Sequence, residues 1–148
     1  MCLISTSRDP IVADKDITVW KIVCTDGEKW VGPCLYDDFG YPFNVVNTAK
    51  AIPPGDPVEY LGTGHYAVRS GYFHTFAQKA SALYRFDNMH NSHYLKRKGY
   101  YGYYRQNVSL NFPTVVLCKA TIPKGTEYYK DDYCYASKQL IVHKTEKD

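Results

Sequence analysis

Nine consecutive residues, Thr114-Val115-Val116-Leu117-Cys118-Lys119-Ala120-Thr121-Ile122, contain five β-branched side chains and neither glycine nor proline. Branching at Cβ restricts χ1 against a preceding helical turn and suits a pleated surface, so the run predicts a strand. Lys119 is its single charge, the pattern of a strand covered on both faces and therefore central in its sheet. Such a strand leaves its backbone N–H and C=O groups unsatisfied unless both edges are paired. The rest of the chain therefore has to supply a sheet around residues 114–122.

The partners are legible in part. Asp16 to Val23 alternates, with Ile17, Val19, Lys21 and Val23 on one side and Thr18, Trp20 and Ile22 on the other, which predicts a second strand. Thr25-Asp26-Gly27-Glu28 supplies the Asp-Gly step of a tight hairpin, with Lys29 to Leu35 as the returning strand. After the Pro123-Lys124-Gly125 turn, strands are expected at Thr126 to Lys130 and at Gln139 to His143. Residues 37–64 are rich in Gly, Pro, Asn and Asp and predict mostly loop, with at most one short strand near Pro57 to Leu61.

One main helix is expected at about residues 76–88. Thr75 and Gln78 have the spacing of a capping box, and Phe76, Ala80, Leu83 and Tyr84 repeat with helical spacing. Residues 90–106 have no period and carry Gly99 and Gly102, so they predict a second loop-rich insertion, and the charged tail 144–148 is expected to fray. The expectation is a single α+β domain over residues 1–148: a mostly antiparallel twisted sheet, one helix and long loops.

At 148 residues, 45% hydrophobic and 22% charged, the chain is long enough for one core that buries roughly two-thirds of the unfolded surface. It needs no disulfide or structural metal. Cys2, Cys24, Cys34, Cys118 and Cys134 are odd in number and contain no Cys-x-x-Cys pair, which predicts reduced cysteines. Met1 to Pro10 includes Arg8 and Asp9 and lacks a signal-peptide core, and no run reaches membrane-spanning length. A cytoplasmic protein without a membrane partner is expected.

Phosphate-binding glycine loops, dinucleotide fingerprints and Gly-x-Ser-x-Gly are all missing from the sequence, and no cofactor is expected. His90-x-x-His93 lacks a third ligand nearby, so no metal is expected either. Asp37-Asp38 and Asp131-Asp132 are adjacent pairs whose side chains point apart, a poor basis for acid and base catalysis.

Two segments have the chemistry of an anion site. Arg69, Tyr72 and His74 lead into the expected helix, where free N–H groups and the dipole favour negative charge. The run from His93 to Arg105 interleaves Lys96, Arg97, Lys98 and Arg105 with tyrosines, Tyr101 among them, and no carboxylate occurs from Met89 to Leu110. Rings that stack and cations that neutralise suit a ligand with a base and a phosphate. A small phosphorylated ligand of nucleotide type is the expected partner, held by Arg69, Tyr72, His74, Lys96, Arg97, Lys98, Tyr101 and Arg105. A single-stranded nucleic-acid or protein-interaction module, with residues 90–106 as its contact surface, is a further alternative; nucleic acid is less favoured, since net charge is only +3 and no RNA-binding signature accompanies the run. The fifteen tyrosines suit a symmetric contact between copies equally well, which leaves a homo-oligomer open.

Several segments carry a resemblance: Met1-Cys2-Leu3, Ala13-Asp14-Lys15-Asp16-Ile17, Gly71-Tyr72-Phe73-His74-Thr75-Phe76, and Cys118 through Tyr129 with its Ile122-Pro123-Lys124-Gly125-Thr126 turn. Over most of the chain outside residues 36–64 and 88–108, it resembles a family of short uncharacterised proteins from gut Bacteroidetes and their phages. The resemblance implies a phage or mobile-element origin and the cytoplasm of a bacterial host cell, where a binding protein could sequester an anti-phage defence signal. The order of elements is also similar to the ADP-ribosyltransferase fold, with Lys21 at its first-strand position and Tyr72 or His74 at its second. That fold expects a glutamate near Tyr133-Cys134-Tyr135-Ala136-Ser137, which contains no acid, while Glu127, Asp131 and Asp132 lie earlier. Binding is therefore expected over catalysis, with ADP-ribosyl transfer or NAD cleavage as the alternative.

Overall fold

The computed structural model describes residues 3–5, 8–32, 40–49, 58–59, 62, 64–68, 72–85, 112 and 114–144. Two strands form its spine. β3 (Ile17–Thr25) and β10 (Thr114–Ile122) pair antiparallel at all nine positions, from Ile17 opposite Ile122 to Thr25 opposite Thr114. Beyond β10 lie β13 (Gln139–Val142) and the edge strand β6 (Val46–Thr48). Beyond β3 come β9 (Phe73–Phe76), β12 (Cys134–Ser137), β11 (Glu127–Lys130) and the opposite edge, β2 (Ile11–Val12). β4 (Lys29–Val31) and β5 (Tyr41–Pro42) complete a curled half-barrel sheet that is ten-stranded among the described residues. A three-stranded sheet is built from β1 (Leu3–Ser5), β8 (Tyr66–Val68) and β7 (Val58–Glu59), and β1 packs against β11 and β12.

Local chemistry explains the turns. Asp26 accepts from the N–H groups of Glu28 at 2.9 Å and Lys29 at 2.8 Å, while Gly27 takes φ 102°, closing the β3–β4 hairpin. These bonds, that from Lys29 foremost, hold the Asp26 carboxyl below its usual range. At the β10–β11 turn, Gly125 takes φ 90° and Asp16 accepts from the Lys124 N–H at 2.8 Å.

Alternation along β3 feeds two apolar clusters. Val19 and Val23 pack with Trp30, Tyr41, Phe73, Cys118, Ala120, Ile122, Leu140 and Val142 on one side; Ile22 and Cys24 pack with Val31, Phe76, Ala82, Phe112 and Val115 on the other. Trp30 is fully buried, with its ring stacked 4.9 Å from Tyr41 and tilted 5.7 Å from Phe73. Its Nε1–H donates to the Pro42 carbonyl at 3.1 Å.

The helix starts later than expected, and residues 86–88 of its anticipated span lie outside the described residues. Phe73–Phe76 is a strand paired with Cys134–Ser137, and helical residues (α1, 79–85) follow it. Thr75 is therefore a buried strand residue, not a cap, and Phe76 belongs to the sheet core. Two aromatics and a β-branched residue in Phe-His-Thr-Phe already suit a strand, and cross-strand partners outweigh the local capping pattern. Within α1 the core contact is Ala82, whereas Leu83 and Tyr84 are 45% and 74% exposed. In residues 37–64, expected to be mostly loop, β5 and β6 join the large sheet and only β7 falls near the anticipated strand. The 90–106 insertion and residues 145–148 lie outside the described residues. Among the described residues, no helix is long and apolar enough to cross a membrane.

Candidate functional site

A cleft of about 690 Å³ opens where the small sheet meets the β11–β12 end of the large one. Ser5 ends β1, Asp9 lies between β1 and β2, Ile11 begins β2, His65 precedes β8, and Ala77 follows β9. The residues from Tyr129 through Tyr133, together with Tyr135, complete the lining.

The β11–β12 turn is built by Asp131. Its Oδ1 accepts from the N–H groups of Tyr133 at 2.8 Å and Cys134 at 2.7 Å, and its own N–H donates to the Cys134 carbonyl at 3.0 Å. The Tyr133 carbonyl accepts from the Ala77 N–H at 2.8 Å, so the β9–β12 ladder continues to the rim of the cleft. Asp132 and Tyr133 are thereby presented outward, and both are exposed.

The tyrosine walls differ in burial. Tyr129 is buried, its hydroxyl donates to the Arg8 carbonyl at 3.2 Å, and Tyr72 meets its ring edge-on at 5.6 Å. Tyr135 is half-buried, with its ring tilted against Tyr128 at 5.5 Å. Burial, with Tyr135 and then Asp14 adding to it, pushes the Tyr128 phenol up from its ordinary value. Burial also raises the Cys134 thiol to about 11, reinforced by the Asp131 carboxylate. That thiol stays protonated at neutral pH and is a poor nucleophile.

Three carboxylates, Asp9, Asp131 and Asp132, share the lining with Lys130 and His65. One oxygen of Asp131 is engaged by the turn, whereas the neighbouring Asp132 is exposed. Among the described residues there is no cluster of His, Cys, Asp and Glu suited to a metal ion.

Comparison with protein-family models, with curated proteins and with solved structures gave no match. The site is therefore read from its own chemistry.

The expected site residues fall in different places. Tyr72 stands behind the cleft wall, against Tyr129. His74 lies within β9, so the anion-binding helix entrance expected for it and Tyr72 is not formed there. Instead, the His74 carbonyl accepts from Lys21 Nζ at 2.9 Å. Lys21 is 7% exposed and also lies 6.0 Å from the centre of the Trp30 ring. Arg69, Lys96, Arg97, Lys98, Tyr101 and Arg105 lie outside the described residues.

Sequence reasoning missed Asp9, His65 and the 129–135 wall. The available signal was the density of tyrosine in Tyr128-Tyr129-Lys130-Asp131-Asp132-Tyr133-Cys134-Tyr135. Divergence of adjacent side chains argues against the Asp131-Asp132 pair in the sequence. The two do diverge here, one into the turn and the other to the surface, yet both border the same cleft.

Proposed function

We propose that the protein is a binding protein for a small phosphorylated ligand of nucleotide type, held without turnover in the cleft at the β11–β12 turn. The observation that carries this reading is a cleft walled by Tyr129, Tyr133 and Tyr135 that combines hydrogen-bonding groups of both signs. Its volume is within the roughly 300–1,000 Å³ usual for small-molecule sites. A flat base stacks on the tyrosines, ribose hydroxyls donate to Asp132, and a phosphate faces Lys130. In a phage or mobile-element setting, affinity alone suffices to sequester a host anti-phage signal.

Calorimetry of the full chain with linear and cyclic nucleotides and ADP-ribose derivatives tests the proposal. Binding is expected for at least one, weakened by Tyr133→Ala through loss of stacking and by Asp132→Asn through loss of a charged acceptor. Silence across the panel at micromolar protein refutes it.

One contact favours a second reading, an ADP-ribosyltransferase-like or NAD-cleaving enzyme. The Lys21 ammonium and the His74 carbonyl, from the two positions which that resemblance singles out, meet at 2.9 Å. This reading predicts nicotinamide release from NAD, abolished by Tyr72→Ala or His74→Ala, and intact NAD after long incubation removes it.

A further inference from the structure

The face of the large sheet that carries Ile22 and Cys24 is covered over only part of its extent. Alternation along β3 turns Thr18, Trp20, Ile22 and Cys24 to this face, and the register sets Thr121, Lys119, Leu117 and Val115 of β10 opposite them. Ala82 of α1 and Phe112 pack over Ile22, Cys24 and Val115. Toward the other end the face stays open, with Thr18 and Lys119 exposed and Trp20 and Thr121 half-buried. Register carries the open part onto β13 and β6, where Ile141 lies between Thr121 and Val46 and Gln139 lies opposite Thr48. Val46 is 51% exposed, and none of these residues lines the cleft.

Charge and ring chemistry on the open part select one class of partner. Lys119 is the register partner of Trp20, and Lys79 Nζ, from α1, sits 5.2 Å from the centre of the Trp20 ring. His143 extends the row: its N–H donates to the Lys119 carbonyl at 3.0 Å, and its Nε2 lies 2.8 Å from Thr121 Oγ1. Among the described residues, β3, β10, β13 and β6 turn no carboxylate to this face. Asp16 precedes β3, and its Oδ1 is held by the Lys124 N–H at the turn end of the sheet. A twofold contact between copies sets the same patch against itself, so like charge disfavours a second copy here. Cations beside an indole instead complement a strand of phosphates and flat bases.

We propose that this open face binds single-stranded nucleic acid, with Trp20 as the stacking platform and Lys79 and Lys119 as the phosphate contacts. A base that stacks on the indole displaces the Lys79 ammonium from the ring, and that ammonium and Lys119 then neutralise neighbouring phosphates. The face is separate from the cleft, and the proposal goes beyond the nucleotide-type reading without depending on it.

The test uses the full chain and a fluorescein-labelled oligothymidylate of about twelve nucleotides, a length within the usual site sizes of such surfaces. Anisotropy should show binding at low salt, accompanied by quenching of tryptophan fluorescence. Trp20→Leu should lose about tenfold in affinity together with the quenching, since the remaining Trp30 is fully buried. Lys119→Gln should weaken binding and make the slope of log affinity against log salt shallower by about 0.7, one phosphate contact on a single strand. If Trp20→Leu does not fold, Lys79→Gln and Lys119→Gln, both at exposed positions, carry the test. Absence of wild-type binding at low salt overturns the proposal, and so does equal binding by wild type and these variants, which places the oligonucleotide on another surface. Three other results also overturn it. A duplex of the same length that binds as tightly without quenching removes the stacking role. Polyglutamate that binds more tightly than the oligonucleotide at equal charge assigns the face to an acidic protein. A free protein that sediments as a dimer, and as a monomer after Val46→Lys, assigns it to a second copy.

Discussion

Truncating Trp30 tests how the two parts of the large sheet are held together. β3 and β10 share nine register pairs, whereas β3 and β9 are joined at one, Trp20 opposite Phe76. Side chains therefore reinforce the join between β9 and the β3–β4–β5 part of the sheet, and one such contact is aromatic: Phe73 of β9 lies 5.7 Å from Trp30 of β4 and 5.3 Å from Tyr41 of β5. Trp30→Ala removes a fully buried indole, roughly 200 Å² of mostly apolar surface, which at about 25 cal/mol per Å² is ~5 kcal/mol. Large-to-small substitutions of this kind cost about 3–5 kcal/mol. The lost Nε1 donor adds little, because the Pro42 carbonyl still accepts from Asn47 Nδ2 at 3.0 Å. An expected loss of about 4 kcal/mol is a large share of the roughly 5–15 kcal/mol of a typical domain. Trp30→Phe should cost less than half as much, since a ring still reaches Tyr41.

Urea unfolding reads the loss as a shift in midpoint at constant slope. Hydrogen exchange at the amides of Phe73 to Phe76 reads the join directly, and it should accelerate more than at Val115 to Ala120 in the β3–β10 pair. A midpoint within about 1 kcal/mol of wild type, or uniform acceleration across β9 and β10, refutes the argument that the aromatic contact reinforces the join.

Three further outcomes are expected. Hydrogen bonds from Lys29 and Glu28 lower the Asp26 pKa on folding, so its stabilising contribution is complete above the usual carboxylate value of 3.8 and is lost as pH falls through the lower folded value. Asp26→Asn should therefore flatten the acid limb of stability against pH, and denaturant midpoints measured across that limb check it. Asp131→Ala removes the acceptor for the Tyr133 and Cys134 N–H groups and should lower stability by about 1 kcal/mol, with Asp131→Asn milder, as read by thermal melting. The Cys134 thiol, raised to about 11, should alkylate with iodoacetamide far more slowly at neutral pH than an ordinary cysteine and speed up only in strong alkali. Peptide mapping by mass spectrometry follows that one site.

Some of this architecture is written locally. The β-branched run from Thr114 to Ile122 and the alternation from Ile17 to Val23 are strands on their own chemistry, and the Asp26-Gly27 step closes a hairpin wherever it is placed. Each depends on side chains within a few residues, so one stretch of sequence carries the whole signal. The Thr75-x-x-Gln78 spacing is local too, yet it was overruled. Whether Phe73 to Phe76 becomes strand or helix start depends on Cys134 to Ser137, about sixty residues away, arriving as a ladder partner.

The cleft is still less local. Its lining comes from the β1–β2 segment, the residue before β8, the end of β9 and the β11–β12 turn, none of which has a recognisable motif alone. Composition supplied the tyrosines and carboxylates, but side-chain type does not encode convergence across segments more than a hundred residues apart. The chain by itself determined which stretches had to be extended and where it could turn. Tertiary packing decided which of them became neighbours, because the free energy of pairing and burial depends on partners that no local window contains.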